Sequence, residues 1–142
     1  MFPTPPGRLS ERILGKSEMM AERPLVSVVD DDESVRESLP DLLRELGYAA
    51  KAFSSGEEFL ASGYVEKTGC LIADIAMPGM SGPELQSELK RRKYRVPIIF
   101  ITAHGLERIR ADLMEQGAVA CLPKPFSDED LLAALNSGFG LS

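Results

Sequence analysis

The chain has 142 residues, 44% hydrophobic and 27% charged, with 16 Lys and Arg against 22 Asp and Glu and a net charge of −6. That length suits one domain with a single core, and the negative balance argues against gripping nucleic acid through a general electrostatic footprint. No apolar run approaches the roughly 20 residues that span a bilayer, and prolines and charges at the N-terminus stand where a signal peptide needs an apolar core. A cytoplasmic location and protein partners, without membrane or direct nucleic-acid binding, are therefore expected.

Residues 1–24 carry no sustained periodicity and are read as an N-terminal tail, with Met19 and Met20 as alternative starts. From residue 25 short apolar runs alternate with amphipathic segments, the pattern of βα units around a parallel sheet. The first strand is expected over 25–29 and the first helix over 33–46, where Val35, Leu39, Leu42, Leu43 and Leu46 recur at helical spacing and Gly47 stops the run. Pro40 should bend that helix or shift its hydrogen bonds. A weaker second strand follows over 49–53. Ser55 and Glu58 then suggest a capping box opening a short helix to about Ala61.

The third strand is expected over 70–73, apolar on both faces and therefore central, with Asp74 directly after it. Ser81-Gly82-Pro83-Glu84 opens a third helix reaching about Arg92. A fourth strand over 96–101, a fourth helix over 106–116 stopped by Gly117, and a fifth strand over 119–122 follow. Ser127 caps the last helix, which ends near Asn136. The domain is thus expected over 25–137, with 138–142 as a C-terminal tail too short for an output domain. Cys70 and Cys121 lie in strand-like runs without metal-ligand spacing and read as small core residues rather than a disulfide.

Three strand ends carry charge: Asp30-Asp31-Asp32, Asp74 and Lys124. In one parallel sheet they would meet at its carboxyl edge, where open α/β folds place their chemistry. Several carboxylates beside one ammonium suit a divalent cation and a phosphoryl group. Magnesium takes hard oxygen ligands, and two carboxylates with phosphoryl oxygens suffice. Asp31 and Asp74 are the candidates for direct contact with the ion, and Asp30 acts through a water or behind them. Asp32 reads as the cap of the first helix, since carboxylates favour that dipole end.

Asp74-Ile75-Ala76-Met77-Pro78-Gly79-Met80-Ser81-Gly82, the acidic run after the first strand and Lys124-Pro125-Phe126 together resemble the bacterial response-regulator receiver (CheY-like) family, of the nitrogen-fixation regulator type. The resemblance covers about residues 25–135. It implies a doubly wound, flavodoxin-like (βα)5 fold with a five-stranded parallel sheet in the order 2-1-3-4-5. It implies Asp74 as phosphoacceptor, the Ala76 carbonyl as a further ligand of Mg2+ or Mn2+, Lys124 as the phosphoryl contact next to a cis peptide, a form the prolyl bond at Pro125 can adopt at modest cost, and Thr102 as the switch hydroxyl. Thr102 lies 28 residues after Asp74 and 22 before Lys124. Ala103 and His104 would border the phosphoryl site. The donor would be a sensor histidine kinase or a histidine phosphotransfer protein, the output a downstream protein target, and a phosphorylation-dependent homodimer is among the outcomes it allows.

One position departs from the family pattern: Cys121 stands where receivers usually carry an aromatic, three residues before the lysine. A receiver is not an enzyme beyond its own phosphorylation and dephosphorylation. A phosphohydrolase of the haloacid-dehalogenase type would need a second aspartate at Ala76, and a flavin module would find its phosphate repelled by the acidic run. The alternatives kept are a phosphorylation-independent pseudo-receiver and the receiver part of a DNA-binding transcriptional regulator.

Overall fold

The computed structural model describes residues 23–103 and 107–140. Five strands and five helices alternate along it: β1 (Leu25–Val29), α1 (Glu33–Glu45), β2 (Ala49–Phe53), α2 (Gly56–Ala61), β3 (Thr68–Asp74), α3 (Gly82–Arg91), β4 (Ile98–Thr102), α4 (Glu107–Glu115), β5 (Ala120–Pro123) and α5 (Asp128–Gly138). All paired strands run parallel, in the order β2-β1-β3-β4-β5. This is the doubly wound flavodoxin-like sheet, and its strand order reverses between β1 and β3.

Each face of the sheet is closed by its own helices. On one side Leu39 and Leu43 of α1 and Leu131, Ala134 and Leu135 of α5 cover Val26, Val28, Ile72, Ile99 and Ile101. On the other, Phe59 of α2, Leu85 and Leu89 of α3 and Leu113 of α4 cover Val29, Leu71, Ala73 and Phe100. Every residue of β4 is buried, which explains its apolar run from Ile98 to Ile101. Full burial of one such side chain stabilises by about 1.5–3 kcal/mol.

Several boundaries differ from the sequence reading. β3 begins at Thr68, because the hydroxyls of Ser27 and Thr68 lie 2.7 Å apart inside the sheet and Thr68 Oγ1 also donates to the Tyr64 carbonyl at 2.7 Å. Two polar residues that satisfy each other can be buried at little cost, a pairing invisible to an apolar pattern. β4 begins at Ile98 rather than 96, and α5 runs on to Gly138. α1 continues through Pro40 as one element; the proline is buried and has no amide to donate to the Arg36 carbonyl.

Helix starts follow the side chains expected of them. Ser55 accepts from the Glu58 amide at 3.0 Å, but the Glu58 carboxylate returns to Ser54, one residue before the cap, rather than to Ser55. At α3 the reciprocal box is complete between Ser81 and Glu84. Cys70 and Cys121 are both buried, unpaired, and belong to cores on opposite faces of the sheet. No helix among the described residues is long and apolar enough to cross a membrane.

Candidate functional site

Three consecutive acids after β1 occupy three different environments. The Asp30 amide donates to the Phe53 carbonyl at 3.1 Å, extending the sheet pairing by one residue and holding Asp30 at 0% exposure. Its Oδ1 accepts the Asp32 amide at 2.9 Å, and its carbonyl accepts Arg36 Nη1 at 2.9 Å. Asp31 is exposed. Asp32 caps α1 through the amide and hydroxyl of Ser34, at 3.0 and 2.7 Å, and these bonds hold its carboxyl below the usual range.

Asp74 ends β3, paired with Ile101 of β4. Its Oδ1 accepts the amide of Ala76 at 3.1 Å, and its Oδ2 faces Lys124 Nζ at 3.4 Å. Behind it α3 comes very close. The Gly82 amide donates to the Ile75 carbonyl at 2.9 Å, and a Cβ on Gly82 would stand only 2.6 Å from the Asp74 carbonyl oxygen. The β3–α3 loop is tied to α2 by the Met80 amide, which donates to Glu57 Oε2 at 3.2 Å.

Lys124 follows β5, and its peptide bond to Pro125 is cis. Its amide donates to the carbonyl of Thr102 at 2.8 Å, so the buried last residue of β4 and the lysine are joined through the backbone. The ammonium stands 3.4 Å from Asp74 Oδ2 and 3.6 Å from Asp30 Oδ2. Ala76 and Ala103 are exposed at the rim; His104 lies outside the described residues.

Asp30, Asp31 and Asp74 each offer a carboxylate oxygen, and these atoms lie within 4.8 Å of one another. Asp30 Oδ2 is buried without a hydrogen-bond partner among the described residues. Burial raises the Asp30 pKa and the Asp74 charge adds to the rise, against the Asp32 amide and Lys124. Burial pulls the Lys124 ammonium down, but the Asp74 and Asp30 carboxylates outweigh it and the net shift is upward. An all-oxygen donor set that includes an orphaned buried carboxylate oxygen suits a hard divalent cation.

The model of the response regulator receiver domain family matches residues 26–136. The chain belongs to that family. The receiver is 42% identical to nodulation protein W of Bradyrhizobium diazoefficiens over 129 residues, covering 91% of this chain and 57% of that protein. It is 40% identical to the transcriptional regulatory protein FixJ of Azorhizobium caulinodans over 123 residues, 87% of this chain and 58% of that one. The chain thus spans a little over half the length of these relatives. Among solved structures it is similar to FixJ-N, with a TM-score of 0.77 and 38% identity, over 84% of this chain and 95% of that one. The response regulator StyR matches with the same TM-score and 46% identity, over 83% of this chain and 60% of that one.

The receiver fold brings together Asp30, Asp31, Asp74 and Lys124, with Thr102 bonded to the lysine through the backbone. Sequence reasoning missed three supports: Gly82, Glu57 and Arg36. A glycine before a first-turn proline was a readable hint of crowding at Gly82; Glu57 and Arg36 act across loops and carry no local signal. Cys121 is buried opposite Phe100, in the core that includes Leu113 of α4.

Proposed function

We propose that this receiver accepts a phosphoryl group on Asp74 from the phosphohistidine of a sensor kinase or phosphotransfer protein, and that the modified state is read by a protein partner. The observation that carries this reading is the Lys124 ammonium set 3.4 Å from Asp74 and 3.6 Å from Asp30 at the ends of three different strands. In the transfer, an Asp74 carboxylate oxygen bonds to phosphorus while the bond from phosphorus to the donor imidazole nitrogen breaks. That nitrogen keeps the electron pair and takes a proton.

Two unit charges about 4 Å apart repel by roughly 4 kcal/mol at an effective dielectric near 20, so an anionic group approaching Asp74 needs compensation. Lys124 supplies one charge in place and would contact a phosphoryl oxygen. Mg2+ or Mn2+, held by Asp31 and Asp74 with Asp30 behind or through water and with the Ala76 carbonyl, would neutralise the remainder. Positioning and charge compensation are the main demands of phosphoryl transfer. The amide of Ala76 orients the acceptor carboxylate, and Gly82 fixes the strand end that carries it.

Thr102 is the residue we assign to sensing, its strand end paired with Pro123 of β5 and its carbonyl accepting the Lys124 amide. Cys121 is too small to fill alternately the inner and outer positions of an aromatic, so the shift runs through Thr102 and the residues after it. The resulting bias is between two populations with different partner affinity. Where the chain forms part of a longer regulator, as its length relative to its relatives allows, that partner is a linked output domain.

The test is intact mass after incubation with acetyl phosphate, with and without Mg2+, on the wild type and on Asp74→Asn. One added phosphoryl group requiring both Mg2+ and Asp74 supports the reading. An unmodified wild type whose spectra also ignore beryllofluoride would make the domain a phosphorylation-independent interaction module.

A further inference from the structure

The end of the molecule remote from the acidic site carries its densest positive charge. Lys90, Arg91, Arg92, Lys93 and Arg95 are five of six consecutive residues, all exposed, at the C-terminus of α3 and in the turn to β4. Glu88 engages Arg91 and Arg92, and Lys90 donates to the neutral Gln116 at 3.1 Å. Lys90, Lys93 and Arg95 with Tyr94 line a cavity of about 350 Å³. A second cavity of about 230 Å³ shares Lys90, Tyr94 and Arg95 and reaches the apolar side chains of Leu89, Val96 and Ile98 between α3 and α4.

Cations near a helix C-terminus are ordinarily explained by the dipole, which accounts for Lys90 and Arg91 in the last turn. It does not account for Lys93. After α1, α2, α4 and α5 the left-handed position that ends the helix is glycine, at Gly47, Gly63, Gly117 and Gly140; after α3 it is Lys93, at φ 66°. A side chain is disfavoured in that conformation, and this one adds like charge to four neighbouring cations. Neither choice serves the stability of the isolated domain. A partner that uses the charge would explain both.

We propose that this surface binds an acidic protein segment bearing one apolar anchor. Its carboxylates would lie against Lys90, Lys93 and Arg95 while the anchor enters the cavity between α3 and α4. Nucleic acid fits less well: the net charge of −6 repels a long polyanion beyond this patch, and an apolar recess offers a phosphate backbone nothing.

The experiment is fluorescence anisotropy of the full chain with a labelled peptide of Asp and Glu around a central leucine. Saturable binding is expected, weakened about tenfold by Lys93→Gly combined with Arg95→Glu, and similarly when the leucine of the peptide is replaced by serine. Lys93→Gly suits the backbone angle, so its thermal midpoint should stay or rise, and lost binding then reflects lost charge rather than unfolding. Absence of saturable binding would overturn the proposal. Equal affinity for the serine peptide, or for an oligonucleotide of the same charge, would do so too, since either indicates unspecific polyanion adsorption.

Discussion

Replacing Gly82 by alanine tests how tightly α3 is braced against the end of β3. The added Cβ would lie 2.6 Å from the Asp74 carbonyl oxygen, 2.9 Å from the Ile75 Cα and 3.0 Å from the Phe100 ring. Carbon-to-oxygen contacts settle near 3.3 Å or more, so the shortfall is about 0.7 Å. Two of these atoms are backbone and the third belongs to a fully buried ring, so no side chain can rotate away. Gly82 has no positive φ, which leaves sterics as the cause. Overpacking of this kind costs about 1–3 kcal/mol, and the better helix propensity of alanine returns at most about 1. A net loss of about 1–2 kcal/mol should lower the urea midpoint by about 0.5–1 M at unchanged slope. The protein stays folded in buffer, so phosphorylation by acetyl phosphate can be followed on native protein. Because the displaced backbone carries Asp74, the rate should fall about tenfold or more. A stability change below about 0.5 kcal/mol together with an unchanged rate would refute the bracing argument.

Lys124→Gln leaves Asp30 and Asp74 facing each other without a cation, and the metal-free protein should lose about 1–3 kcal/mol; the figure sits below that for a fully buried pair because the lysine is about a third exposed. Urea unfolding in chelator measures it, and an unchanged midpoint would remove the lysine from the stability argument. Asp30 has a folded pKa raised above its unfolded value of 3.8, chiefly by burial, so in that window the folded state binds more protons and stability falls as pH rises. Asp30→Asn should therefore raise the metal-free thermal midpoint at pH 7, with the gain shrinking as pH approaches 4; a lowered midpoint at pH 7 would contradict it. Burial pushes the Cys70 thiol up to about 12, so it should react with a thiol reagent only on unfolding; rapid labelling of native protein would show that β3 opens locally.

The alternation of apolar runs and amphipathic segments was legible in the sequence, because strands buried on both faces must be continuously apolar and helices against them must repeat at helical spacing. Asp74, Lys124 and the acids after β1 were legible too, since charge at the end of an apolar run stands out locally. The differing environments of Asp30, Asp31 and Asp32 were less so. The cap at Asp32 could be read from the helix start, but the full burial of Asp30 beside an exposed Asp31 could not, because the Phe53 carbonyl that draws Asp30 into the sheet edge belongs to another strand.

Tertiary structure alone decided what distant segments do to one another. Asp74 and Lys124, 50 positions apart in sequence, close to 3.4 Å because β3, β4 and β5 lie side by side, and strand order is a property of the whole sheet. Gly82 matters through the strand it touches, the cysteines are separated because their side chains point to opposite faces of the sheet, and the cations of residues 90–95 gather at the edge opposite the site. Local chemistry specifies which residues can act; the three-dimensional path of the chain determines which of them meet, since electrostatic and steric interactions depend on distance through space rather than along the sequence.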